Sequence, residues 1–210
     1  MSSLYKYPRT PHLPFSLGAT DDDKILKDTK HFENKLVVVT EKMDGENTSI
    51  YNNYYHARSL DSKHREYHSY LLSTILPNIQ YVIPNGYRIC GEYLYAKHSI
   101  YYDNLKDYFL TFSIWNENIC LSWEDVEKLS NEWNLNLVPI LYKGIYDENK
   151  IKELANYVMT NGGEGLVVRL QDPFKYEDFN KSIAKFVRPN HVQTDEHWTK
   201  TKIIKNELKK

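Results

Sequence analysis

Cysteine is nearly absent. Cys90 and Cys120 are the only two in 210 residues, too few for a disulfide framework or a cysteine-built zinc site. Both stand among strand-forming residues and read as buried thiols, which suits a reducing, cytoplasmic setting. Long hydrophobic runs are missing as well. The longest obvious apolar stretch is the four residues Leu36–Val39, which excludes a transmembrane helix. The opening MSSLYKYPRTPHLPF lacks the basic-then-apolar layout of a secretory signal. There is no excess charge of one sign: Lys and Arg total 27 against 28 Asp and Glu, a formal charge of −1. That excludes a strongly basic nucleic-acid binder but leaves room for local basic patches. The eight histidines show no zinc spacing, and no repeat or low-complexity segment is visible.

What is plentiful is tyrosine, with 18 residues; such rings fill cores and also stack on bases. Hydrophobic residues at 41% and charged residues at 26% are ordinary globular usage, so disorder is excluded. The length suits one domain with at most a short appendage.

Along the chain, Pro8, Pro11 and Pro14 and the acidic turn Asp21-Asp22-Asp23 make residues 1–30 an irregular arm. Lys35 to Thr40 (KLVVVT) is β-branched and reads as a buried strand, halted by the turn signal Asp44-Gly45. Strands over Asn47 to Tyr51 and Tyr54 to Arg58 follow, joined at Asn52-Asn53. Helical spacing over Lys63 to Leu76 puts Tyr67, Tyr70, Leu71, Thr74 and Ile75 on one face, with Pro77 ending the run. Tyr87 to Tyr95 and Tyr108 to Trp115 read as strands. Ser122 with Asp125 is a capping-box arrangement. Asp147 caps a helix whose Ile151, Leu154, Ala155 and Val158 share a face. Strands are expected again at Gly165 to Leu170 and Ser182 to Arg188, and a helical polar tail after that. Many strands with few helices and no βαβ alternation predict an α+β fold with antiparallel sheets and flanking helices.

The strongest local signal is Glu41-Lys42-Met43-Asp44-Gly45-Glu46-Asn47, directly after the first buried strand. A lysine there, with its stem in apolar surroundings and positive charge nearby, has a lowered pKa and acts as a nucleophile. Taken alone, Lys-x-Asp-Gly is equally a hairpin turn with a solvated lysine. Its company gives it weight. Glu92 follows a glycine within a strand, Glu164 lies between Gly163 and Gly165 at the mouth of another, and Lys185 sits on the last strand. A nucleophilic lysine, two carboxylates able to hold Mg²⁺ or a ribose, and a second cation facing phosphate form a nucleotidyl-transfer set.

This ordered set resembles the covalent nucleotidyltransferase superfamily of polynucleotide ligases and mRNA capping enzymes, and within it the ATP-dependent RNA ligases. The likeness spans about Lys35 to Trp198. Lys-x-Asp-Gly belongs to the whole superfamily. Asn47, the segment Lys6 to Pro14 (KYPRTPHLP) and the late His191 to Trp198 (HVQTDEHW) point to the RNA ligases. The resemblance implies Lys42 as the adenylylated lysine, with Glu41 and Asn47 in the nucleotide site and Arg58 (in His-Ala-Arg-Ser) on phosphate. It further implies Glu92 near ribose and metal, Phe112 stacked on adenine, Glu164 on the metal and Lys185 on the α-phosphate. The family's late motif has two lysines spaced by one residue; here Ile183 and Val187 flank Lys185, with Arg188 nearby as a substitute.

The implied activity is ATP-dependent RNA ligation with Mg²⁺ or Mn²⁺, in which a 5′-phosphate end is adenylylated and sealed to a 3′-hydroxyl. The expected organisation is an arm (1–30) packed on a nucleotidyltransferase domain (31–192). A short polar tail (193–210) follows, too short for an OB-fold domain, so a protein partner could supply extra RNA binding. A minimal DNA-nick ligase and a catalytically inactive RNA-binding relative are the competing readings.

Overall fold

The computed structural model describes residues 4–189 and 203–210; the segment His191 to Trp198 lies outside them. The β-branched run near residue 36 becomes strand β1 (Leu36–Lys42), with Val37, Val38 and Val39 fully buried. It extends through Lys42, so the candidate nucleophile is the last residue of a strand. Strands β2 (Glu46–Tyr51) and β3 (Tyr54–Ala57) form the expected hairpin, with Asn53 at its tip in the left-handed region. β4 (Tyr87–Tyr93) pairs with β2, and β5 (Phe109–Asn116) with β4. The short β6 (Ile119–Cys120) and β7 (Asn136–Leu137) both border β5.

β8 (Ile140–Ile145), which the sequence reading passed over, pairs with β1 as an edge strand. Its alternation is blurred because no residue along it is fully buried. β9 (Gly165–Leu170) lies on the other side of β1, and β11 (Ile183–Val187) lies beyond β9. A short β10 (Phe174–Lys175) pairs with β6. Two sheets result, a four-stranded one in the order β11-β9-β1-β8 and a seven-stranded one running β10-β6-β5-β4-β2-β3, with β7 beside β5. All pairings are antiparallel except β5 with β7. β1 belongs to the first sheet and β2 to the second, so the turn between Lys42 and Glu46 is where the chain crosses from one to the other.

The segment after β3 departs from a plain helix. It starts as a 3₁₀ turn (Glu66–His68), passes through a π turn (Leu71–Ile75) and finishes as helix α1 (Leu76–Ile79). Pro77 does not end it. Proline has no N–H for the α ladder, and it is accommodated here at the start of the last turn, after Leu76 N–H has reached back five residues to Leu71. Helix α2 (Trp123–Glu132) is capped by Ser122, whose hydroxyl accepts Asp125 N–H and donates to the Asp125 carboxylate. Helix α3 (Glu148–Thr160) is capped by Asp147, which accepts Asn149 and Lys150 N–H. It buries Ile151, Ala155 and Val158. Its exit through Gly162 at φ +81° needs a residue without a Cβ. A short α4 (Phe179–Ser182) leads into β11.

One core lies on the seven-stranded sheet beneath the 66–79 segment and α2, with Ile50, Ile89, Tyr93, Ile114 and Trp123 at its centre. A second packs α3 and Phe32 on the four-stranded sheet. A third joins Tyr7 of the arm to Trp115, Phe174, Phe179 and both cysteines. Cys90 and Cys120 are free and fully buried, and burial pushes the Cys120 thiol up to about 11. The arm is thus part of the body. Pro11 to Leu13 run alongside β11, with Leu13 N–H on Lys185 O at 2.8 Å and Lys185 N–H on Pro11 O at 2.9 Å.

The expected helical tail is not helical over its described part. Residues 203–210 are extended and bridge Ala96 and Leu105. Lys205 of this segment lies over the rings of Tyr95 and Tyr108. No helix among the described residues is long and apolar enough to cross a membrane.

Candidate functional site

A cavity of about 270 Å³ opens between the two sheets, near the lower end of small-ligand sites at roughly 300–1,000 Å³. The four-stranded sheet contributes Glu41 and Lys42 from β1, Val167 and Arg169 from β9, and Ile183 and Lys185 from β11. The seven-stranded sheet contributes Asn47 from β2, Glu92 from β4 and Phe112 from β5, with exposed Arg58 after β3. The sites picked out from sequence therefore meet, although they lie more than 140 residues apart in the chain.

Lys42 donates from Nζ to Glu164 Oε2 at 2.5 Å. Glu164 is buried between Gly163 and Gly165, and its carbonyl accepts Arg188 N–H at 2.9 Å. Gly165 is obligatory here, since a Cβ would lie 2.0 Å from Phe186 O of β11. Glu92 Oε1 accepts Gly45 N–H at 3.1 Å. Gly45 is needed for close approach and not for an unusual φ: a Cβ would lie 2.6 Å from Tyr93 O. Asp44 is fixed on the outer side of the same turn, where its Oδ2 accepts Ser99 and Ile100 N–H, both at 2.7 Å.

The electrostatics correct one expectation. Lys42 was read as a lysine with a lowered pKa; in the structure its pKa is raised. Burial alone would lower it, but the carboxylates of Glu164, Glu92 and Asp44 outweigh burial. In the free protein the lysine is therefore parked as an ammonium on Glu164. Glu92 is pushed up to about 8, first by burial and then by Glu164, against the pull of Lys42. Burial also raises Glu41. Lys185 is lowered, by burial and then by the nearby Lys42 charge.

The buried Glu164 and half-buried Glu92 carboxyls, close enough to raise the Glu92 pKa through their charges, are hard oxygen donors of the kind Mg²⁺ or Mn²⁺ takes, usually with water and phosphate completing the shell. Among the described residues no group of three or more His, Cys, Asp or Glu converges to hold a metal unaided. Asn47 Oδ1 is buried without a hydrogen-bond partner among them, and so is Arg169 Nη1. Both residues line the cavity, so both unmade bonds are open to a ligand.

The raised Glu92 carboxyl has a consequence for stability. The folded state holds its proton up to about 8 while the unfolded chain releases it near 4.5, so stability falls as pH rises through that interval. Thermal melts of the metal-free protein should show this fall, and Glu92→Gln should flatten it. A wild-type melting temperature that stays level from pH 5 to 8 would contradict the burial argument.

Sequence reasoning missed Tyr7, Pro8, Arg9 and Thr10 of the arm, which line the cavity beside Phe112. Tyr7 meets Phe112 edge-on at 5.3 Å. Arg9 sits at the rim with its Nη1 on Asp22 O at 2.9 Å. Arg188, suggested as the substitute for a second lysine, is not in the cavity lining, whereas Arg9 is. The prolines around Arg9 mark an irregular arm but not its place in the fold.

Two antiparallel sheets enclosing a cleft, with a lysine at the end of an inner strand, make up the fold of ligase-type nucleotidyltransferase domains. An archaeal ATP-dependent RNA ligase superposes with a TM-score of 0.59 at 17% identity, covering 88% of this chain and 48% of that one. A candidate ATP-dependent DNA ligase from Aquifex aeolicus gives 0.58 at 23% identity, covering 88% and 50%. An RNA ligase of Naegleria gruberi, solved as a point mutant with ATP and Mn, gives 0.54 at 18%, covering 76% and 52%. This chain thus spans about half the length of the solved structures it matches. Comparison with curated proteins returns no match. The sequence profile of the RNA ligase family matches residues 35–187, and the chain belongs to that family.

Proposed function

We propose that this protein is an ATP-dependent RNA ligase working through a lysyl-AMP intermediate on Lys42. The observation that carries the reading is Lys42, paired with Glu164, in the lining of a cavity that also holds Glu92, Asn47, Phe112, Arg58 and Lys185. Phe112, with Val138, Val167 and Ile183, supplies an apolar berth for adenine. The Glu92 carboxyl faces the ribose side, and Asn47, Lys185 and Arg58 face phosphate, with Arg9 at the rim. Lys42, once its ammonium has given a proton to solvent, attacks the α-phosphorus; the new P–N bond replaces the bond to pyrophosphate, which leaves, and the phosphoramidate nitrogen sheds a second proton. AMP then passes to an RNA 5′-phosphate, and a 3′-hydroxyl displaces it to seal the strand. Lys185 holds charge at the α-phosphate throughout.

Glu164 and Glu92 would hold Mg²⁺ or Mn²⁺, which when bound would offset the charge on the transferring phosphate. In the free protein Lys42 rests as an ammonium on Glu164, so it must give up a proton before it can attack. A minimal DNA-nick ligase would use the same first step, and only the polynucleotide separates the two.

The test is incubation with Mg²⁺ and ATP labelled on its α-phosphate, after pyrophosphate has stripped any AMP carried from expression. We expect a labelled protein band on a denaturing gel, stronger with ATP than with GTP as donor. Ligation of matched 5′-phosphorylated RNA and DNA then decides the substrate, with RNA sealed faster. A stripped protein that takes up no label would leave the RNA-binding relative as the better reading.

A further inference from the structure

The described C-terminal segment lies against the loop 94–108, held by backbone hydrogen bonds at Ile204, Glu207 and Lys209 and centred on one fully buried polar side chain. Asn206 is 0% exposed and bonds through both its backbone groups and both ends of its side-chain amide. Its backbone N–H donates to Tyr95 O at 3.0 Å and its carbonyl accepts the Tyr108 hydroxyl at 2.9 Å. Its side-chain amide donates to Leu94 O at 2.8 Å, while its Oδ1 accepts Tyr102 N–H at 3.0 Å. Glu207 adds a backbone bond to Tyr102 O at 2.8 Å, so Tyr102 is held on both sides of its backbone.

Tyr102 in turn reaches the reacting turn. Its hydroxyl accepts Asp44 N–H at 2.9 Å, and the neighbouring Ser99 and Ile100 amides clamp the Asp44 carboxylate. Asp44 is two residues from Lys42, at the point where the chain crosses between the sheets. Burial, then the carboxylates of Asp44, Glu164 and Glu41, raise the Tyr102 phenol, so the hydroxyl stays protonated. A buried, fully bonded asparagine is costly to disturb, because removing it leaves several backbone groups unpaired.

We propose that Tyr102, seated by Asn206 of the C-terminal segment, is a positioning residue that fixes the Asp44 turn and through it the approach of Lys42. The proposal rests on the reading of Lys42 as the nucleophile for its catalytic consequence, but its geometry does not. Neither Tyr102 nor Asn206 lines the cavity where Lys42 lies, so neither is placed on substrate. Loosening the turn should therefore act on the rate of the step and much less on nucleotide binding.

Two variants and two readouts test it. Tyr102→Phe removes one hydroxyl and leaves the docked segment in place, whereas Asn206→Ala loosens the seat itself. In Tyr102→Phe the Asp44 amide should exchange with solvent at least about tenfold faster, with distant core amides unchanged. Single-turnover formation of lysyl-AMP should slow about tenfold, with the ATP concentration for half-maximal rate within about twofold of wild type. Asn206→Ala should extend the faster exchange to Ser99, Ile100 and Tyr102. Wild-type exchange at Asp44 in Tyr102→Phe would overturn the proposal, as would a change confined to ATP affinity. If wild-type protein formed no lysyl-AMP at all, the nucleotidyl-transfer reading would fail, and the exchange rates would still decide whether Tyr102 holds the turn.

Discussion

Lys42→Arg should lose lysyl-AMP formation by at least about 1,000-fold while keeping a wild-type melting temperature. The substitution separates two roles that Lys42→Ala would merge. Arginine keeps a cation at the end of β1, so the buried Glu164 carboxylate, which now accepts from Lys42 Nζ at 2.5 Å, retains a partner. Leaving that carboxylate alone would cost roughly 3–5 kcal/mol. A guanidinium, however, does not shed its proton in a protein and has no lone pair to offer the α-phosphorus. If Lys42 only held charge, the variant would work nearly as well as wild type. An RNA already carrying AMP on its 5′-phosphate needs no lysine nucleophile, and sealing of that end should fall by less than about tenfold. The measurements are single-turnover label transfer from ATP and sealing of the pre-adenylylated strand by the same preparation. More than a tenth of wild-type label transfer in Lys42→Arg would remove Lys42 from the nucleophile's role.

The parts of the molecule legible in the sequence were those governed by local chemistry. The valine run of β1 announces a buried strand, and Asp147 with the 151–158 spacing announces a capped amphipathic helix; both are present. The two glycines beside Glu164 and the one after Asp44 mark places where backbones approach within van der Waals contact, and each would clash if given a Cβ. What stayed hidden depends on contacts made at a distance. β8 has no alternating pattern because it is a sheet edge. Lys185 is held in register by Pro11 and Leu13 from the far end of the chain, and nothing in the arm's own residues reveals that pairing. The extended C-terminal segment reads as a polar helix until the loop 94–108 supplies partners for Asn206. The direction of the Lys42 shift was misjudged for the same reason. A strand-end lysine suggests desolvation, whereas three carboxylates gathered from β4, the turn and the mouth of β9 decide the sign.

That sign makes Glu164→Gln the most informative second substitution, because two readouts should move in opposite senses. In the free wild-type protein the Lys42 pKa stands above the ordinary lysine value of 10.5. The ion pair therefore stabilises the fold fully below that value, and its contribution is lost as pH rises through the raised one. Glutamine is nearly isosteric and keeps an acceptor for Nζ but carries no charge. Burial then meets less opposition, the Lys42 pKa falls, and the alkaline loss of stability ends at a lower pH and is smaller. Competitive labelling of lysines with an acylating reagent across pH should show the Lys42 midpoint moving down. A more readily deprotonated lysine would by itself speed attack on phosphorus. Lysyl-AMP formation should nonetheless drop about 100- to 1,000-fold, since the carboxylate pair proposed to hold Mg²⁺ or Mn²⁺ would have lost one charged donor. Glu164 then has two successive duties, restraining the lysine before the donor binds and serving the charge balance after. A midpoint that did not move would disprove the restraint. A variant that adenylylated faster than wild type would show restraint to be the only duty Glu164 has.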